Sequence, residues 1–156
     1  MVVAVLFLLA AILMPVYYGS RPDAPATACL SNVKQISLAH LMYAADWEGR
    51  YAPSAEWMDT IMPYSKNEAI LTCPNVAKEK QRYGYSYNSK AAGTAPADSE
   101  LPSIPLVYDS TSLAKNTSDP VTSLPAPGRH DGKDAIGFAD GHAKYQVIGP
   151  PSEHPD

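Results

Sequence analysis

From Met1 to Tyr18 the chain reads MVVAVLFLLAAILMPVYY, without one charged residue. A helix of this composition is apolar on every face, where a helix packed on a soluble core shows a single stripe. It would be about 27 Å long, close to the roughly 30 Å hydrocarbon core of a bilayer. The pattern therefore predicts a membrane-spanning segment over 1–18, with Val5, Leu8, Leu9, Ile12 and Leu13 as its membrane and assembly positions. Pro15 predicts a kink, which lipid and packed helical assemblies tolerate. A secretory signal peptide competes, because Ala26-Thr27-Ala28 precedes Cys29, but there is no basic leading region and the spacing is long for cleavage.

Beyond a Pro/Ala-rich joint over 19–26, the period changes. Cys29, Val33, Ile36, His40, Tyr43 and Trp47 share one helical face, so a helix is expected over 27–47, with Thr27 as N-cap and Gly49 at its end. A second helix is expected over 56–64, capped by Ser54 and closing near Pro63. An extended stretch over 70–74 brings Cys73 toward the long helix. Alternation over 82–88 predicts a strand with Tyr83, Tyr85 and Tyr87 on one side, more often a core face than a binding surface. A further strand is expected over 106–109, then a Pro/Ser/Thr-rich surface loop over 115–128. That loop carries Asn116-Thr117-Ser118, a glycosylation sequon. Strands over 135–139 and 142–147 flank Asp140-Gly141, predicting a hairpin with a two-residue turn. The fold class is α+β: a long N-terminal helix, a head over 27–148 with an antiparallel sheet, and a Pro-rich tail over 149–156.

Composition narrows the function. Fifteen prolines and ten tyrosines among 156 residues describe a loop-rich head rather than a helical bundle. A net charge of −4 and the lack of any Lys/Arg run exclude nucleic acid as a natural partner. Cys29 and Cys73 are the two cysteines. Behind an export-like N-terminus they read as a disulfide, which would restrict the unfolded chain by roughly 4 kcal/mol; the alternative is a pair of reduced, buried thiols. A disulfide would put the head on the non-cytoplasmic side.

The chemistry is sparse. His40 reads as a packing histidine. His130, Asp131, Asp134, Asp140 and His142, with Asp109, form the one cluster suited to a cation; the loop aspartates Asp109, Asp131 and Asp134 would favour Ca²⁺. Asp140-Gly141 is equally explained as turn chemistry. There is no Gly-x-Ser-x-Gly elbow, no His-Glu-x-x-His and no phosphate-binding glycine loop, so no enzyme, and no cofactor beyond Ca²⁺, is expected.

Two stretches together carry a family resemblance. Residues 11–17 (AILMPVY) followed by 29–36 (CLSNVKQI), with His130 separated by nine residues from Asp140-Gly141, resemble bacterial type IV pilin-like and type II secretion pseudopilin-like proteins of the branch with that C-terminal His, nine residues, Asp-Gly signature. Tyr43-Ala44-Ala45-Asp46, Cys73-Pro74 and 83–88 (YGYSYN) extend the resemblance over most of the chain. It implies a structural subunit held in the inner membrane as a single-pass protein, its head outside the cytoplasm. Its partners would be lipid along 1–18 and copies of itself or related subunits, in a pilus-like filament, extracellular once extruded, or a secretion apparatus. The chain departs from the family by starting at Met1-Val2-Val3, without a basic leader or a prepilin peptidase site. Either the start lies upstream or processing has been lost. The alternative function is a monomeric tethered module that binds Ca²⁺ or a glycan.

Overall fold

The computed structural model describes residues 24–76 and 83–149. The expectations for 1–18, including Val5, Leu8, Leu9, Ile12, Leu13 and Pro15, and for the tail beyond 149 lie outside the described residues. Among the described residues no helix is long and apolar enough to cross a membrane.

The head is α+β. Helix α1 (Ala24–Asp46) leads into α2 (Trp57–Ser65) and a 3₁₀ turn (Glu68–Leu71). Five strands follow: β1 (Tyr85–Asn88), β2 (Pro105–Asp109), β3 (Ser118–Asp119), β4 (Lys133–Phe138) and β5 (Ala143–Val147). They line up as β3-β1-β2-β4-β5. The sheet is mixed and not wholly antiparallel: the two residues of β3 pair parallel with β1, while the other neighbours are antiparallel.

The buried stripe of α1, Cys29, Val33, Ile36, Ala39, His40 and Ala44, has the expected helical period. The helix includes 24–26, which the sequence assigns to the joint, and Pro25 stands near the start of the described helix; the rest of the joint, 19–23, lies outside the described residues. At the other end the Gly49 N–H returns to the Ala44 carbonyl at 2.8 Å, closing the last turn as expected. The stripe lies across the sheet, against β2, β4 and β5. The close approach is made possible by Gly137 in β4. A Cβ there would sit 2.2 Å from Ser37 Oγ, 2.8 Å from Val33 Cγ1 and 3.1 Å from the Val33 carbonyl.

Tyr85 and Tyr87 are fully buried, as expected of a core face, and the Tyr87 hydroxyl donates to the Ala52 carbonyl at 2.9 Å. The opposite face of the sheet carries Tyr108, Ile136 and Phe138, partly covered by Val121 and Leu124. The loop over 115–128 is thus more than surface: it contributes β3 and this cover. Asp119 organises it, accepting from Ser86 Oγ at 2.7 Å, Ser123 Oγ at 2.6 Å and the Thr122 N–H at 2.6 Å. These donors hold its carboxyl well below the usual range, against the opposing effect of burial.

Two local expectations are corrected. The β4–β5 hairpin is not closed by a two-residue turn, which in the form that Asp-Gly favours needs positive φ at both positions. Only Gly141 has it, at 87°. The Gly141 N–H bonds the Phe138 carbonyl at 2.9 Å and the Phe138 N–H bonds the His142 carbonyl at 2.9 Å, the pattern of a three-residue loop with a left-handed glycine. Helix α2, in turn, is not capped by Ser54. Its own N-cap residue, Glu56, makes no side-chain cap, and Asn116 Oδ1 accepts the Met58 N–H at 2.9 Å from 58 residues away. The Asn116 amide also donates to Asp59 at 2.9 Å, so the sequon asparagine is engaged in tertiary structure. Asn116→Ala is expected to lower stability by about 1–2 kcal/mol, the usual value of a helix cap, read as a lower urea midpoint with an unchanged slope.

Candidate functional site

Four side chains from distant parts of the chain converge beneath α1. Cys29 comes from its buried stripe. Cys73 follows the 3₁₀ turn, its N–H held by the Tyr83 carbonyl at 2.8 Å. Asp109 ends β2, and His130 precedes β4, where it bridges to Lys133. One sulfur, nitrogen or carboxylate oxygen of each lies within 4.8 Å of the others, and all four residues are buried.

The expected meeting of Cys29 and Cys73 therefore occurs, and the two stand as free thiols, the reduced alternative to the expected disulfide. His130 and Tyr85 lie beside the pair, and the two thiols act on each other. The Cys29 hydrogen bond, helped by His130 and opposed by burial, lowers Cys73 to about 5; the same bond and burial push Cys29 far up. His130 is raised to about 9, against burial, by Asp109 and the Cys73 sulfur. Its Nε2 stands 3.2 Å from Asp109 Oδ2, off the hydrogen-bonding direction, and is left without a hydrogen-bond partner. Its Nδ1 faces the Asn75 amide at 3.1 Å.

Arg129 anchors the group from one side. Its guanidinium donates to the Gly84 carbonyl at 2.8 Å, to Asp109 Oδ1 at 3.2 Å and to the Ser110 carbonyl. Asp109 Oδ2 accepts the Ala135 N–H at 2.7 Å. Each carboxylate oxygen thus has one partner and a spare lone pair.

Of the aspartates expected to favour Ca²⁺, Asp109, Asp131 and Asp134, Asp109 belongs to the cluster with the cysteines and His130, and Asp131 and Asp134 do not. Asp134 is buried, spends Oδ1 on the Arg129 N–H at 2.7 Å and leaves Oδ2 without a partner; burial raises it to about 6. Asp131 is exposed in a turn with φ 51°. The signature residues also separate. His130 sits in the cluster, whereas Asp140 and Gly141 form the hairpin loop at the far end of β4. There Asp140 binds the His142 N–H at 3.0 Å, and Gly141 lies where a Cβ would come within 2.9 Å of Leu38 and Leu41. His40 is the packing histidine expected, stacked on Tyr87 at 4.6 Å and on Trp57 at 5.6 Å.

Sequence reasoning missed Arg129 and the membership of His130 with the cysteines. The signal lay in a paired Arg-His just before a strand. Compared with known proteins, the chain matches no family profile, no curated sequence and no solved structure.

Proposed function

We propose that this chain is a pilin-like or pseudopilin-like structural subunit without a catalytic role. Residues 1–18 hold it in the inner membrane, the head lies on the non-cytoplasmic side, and copies of it or related subunits assemble into a pilus-like filament or a type II secretion-like apparatus. The supporting observation is the position of α1. It is the helix on which the sheet is packed, and in the chain it follows the uncharged apolar stretch after residues 19–23. A subunit so ordered can rest residues 1–18 in lipid and later pack them against other subunits, with the head carried along. Large apolar side chains also remain open along this edge of the head: Leu38 at 43% and Met42 at 54%, one helical turn apart, and Trp47 at 56%.

The test uses the full chain in bacterial membranes, with a photo-crosslinking residue in place of Met42. The expected result is resistance to alkaline carbonate, loss of the head to protease added from the outer side, and ladders of crosslinked multimers. Extraction by carbonate would sink the anchored reading. An anchored chain that never crosslinks beyond the monomer would remove assembly and favour the tethered binding module.

A further inference from the structure

Four buried ligands of this kind have a use that does not depend on the filament. We propose that Cys29, Cys73, Asp109 and His130 form a closed, four-ligand site for Zn²⁺ that locks α1 to the sheet. The donor set, two sulfurs with one imidazole and one carboxylate, suits a tetrahedral zinc ion and not Ca²⁺, which takes six to eight oxygens. Zinc bonds of about 2.3 Å to sulfur and about 2.0–2.1 Å to nitrogen or oxygen require ligand atoms about 3.3–3.8 Å apart. The four atoms already lie within 4.8 Å of one another, so only small side-chain adjustments separate the present arrangement from a coordinated one.

Two further observations point to an ion at this place. His130 Nε2 is buried, 3.2 Å from Asp109 Oδ2 but outside hydrogen-bonding geometry, so its hydrogen-bonding capacity is unmet in a way that a metal would satisfy. Its other nitrogen faces Asn75, so that turning the amide to present Oδ1 would let it accept a hydrogen bond from Nδ1–H, fixing the proton there and leaving Nε2 bare, the usual outer support of a zinc-bound histidine. Charge also closes. Two thiolates, one carboxylate and a neutral imidazole carry −3, Zn²⁺ reduces this to −1, and the Arg129 guanidinium on Asp109 brings the buried group to zero. Cys29 belongs to α1, whereas Cys73, Asp109 and His130 come from the segments beneath it, so coordination would cross-link the helix to the head as structural zinc does elsewhere.

The experiment takes the full chain in detergent, purified under argon without added reductant or oxidant, and measures bound metal, melting temperature and the absorption spectrum with Co²⁺ in place of Zn²⁺. The expected result is one zinc per chain, a melting temperature raised by several degrees and restored by chelator, and a Co²⁺ spectrum with sulfur charge-transfer and tetrahedral d–d bands. Cys73→Ser removes a ligand and should weaken binding by more than the roughly 10–100-fold that loss of an outer support costs, while His142→Ala, at a half-buried histidine in the hairpin loop away from the site, should keep one zinc. The Co²⁺ spectrum of the unaltered chain keeps the test decisive even where Cys73→Ser fails to fold. Sub-stoichiometric zinc, a Co²⁺ spectrum without sulfur bands, or an intact mass two hydrogens lighter with no titratable thiol, the mark of a Cys29–Cys73 disulfide, would each overturn the site. None of these outcomes bears on anchoring or crosslinking, so the two proposals fail separately.

Discussion

Arg129→Met is expected to destabilise the head by about 3–5 kcal/mol, the range seen when one partner of a buried ion pair is removed. The side chain of Asp109 is fully buried and that of Arg129 is 11% exposed, so water screens neither. Methionine roughly fills the space but removes one of the two cations beside Asp109, leaving only His130, which Cys73 also draws on, and it also takes a donor from the Gly84 and Ser110 carbonyls. The loss thus exceeds that of a single neutral hydrogen bond, about 1 kcal/mol. Arg129→Lys should recover less than half, because one ammonium cannot reach a carboxylate and two carbonyls set around a planar fork. Urea unfolding of each variant measures this. If Arg129→Met shifts the midpoint by no more than an ordinary surface change, Asp109 is neutralised by another route, and the charge balance drawn for the four-ligand site fails with it.

What the sequence revealed and what it hid divide along the range of the interactions. Elements set by local period or turn chemistry were legible: the α1 stripe from Cys29 to Ala44, the tyrosines of β1, the β4–β5 hairpin and the approach of Cys73 to the long helix. The hairpin's loop length was misread because Asp-Gly signals a turn without stating how many residues it takes. The residues that escaped notice act across the chain. Asn116 caps a helix 58 positions away, and β3 owes its existence to two residues that find the free edge of β1. The candidate site shows the same division. Its cysteines could be paired on paper because they were the only two. Asp109 and His130 could not be added, since aspartates and histidines near glycines serve turns as readily as sites. Grouping Asp109 with Asp131 and Asp134 followed their composition, and the fold instead spends Asp134 on the backbone of Arg129.

Acid should weaken this fold through His40 before it titrates most of its carboxylates. The imidazole is fully buried between Tyr87 and Trp57, and neither of its ring nitrogens has a hydrogen-bond partner. Burial alone lowers it to about 3 from an ordinary value of 6.5. Between those two values the unfolded chain binds a proton that the folded chain refuses, so the stability is complete above about pH 6.5 and falls as pH drops, by roughly 1.4 kcal/mol per unit. Between about pH 7 and pH 4.5 the loss from this residue should reach about 2.5 kcal/mol. Asp134 works the other way: its carboxyl, raised to about 6, is more readily protonated folded than unfolded, so below that value it adds stability as pH falls. The His40 contribution is therefore isolated by comparison with His40→Phe, which keeps an aromatic ring in the same stack and has nothing to protonate. At neutral pH the two proteins should differ by about 1 kcal/mol or less, since no hydrogen bond is lost and the volume change is small. As the pH is lowered their urea midpoints should diverge, the variant remaining folded where the unaltered chain opens. Parallel loss of stability in both would show that the acid-sensitive group lies elsewhere. Divergence would mean that the head, packed around a histidine that must stay neutral, carries its own threshold for unfolding in acid.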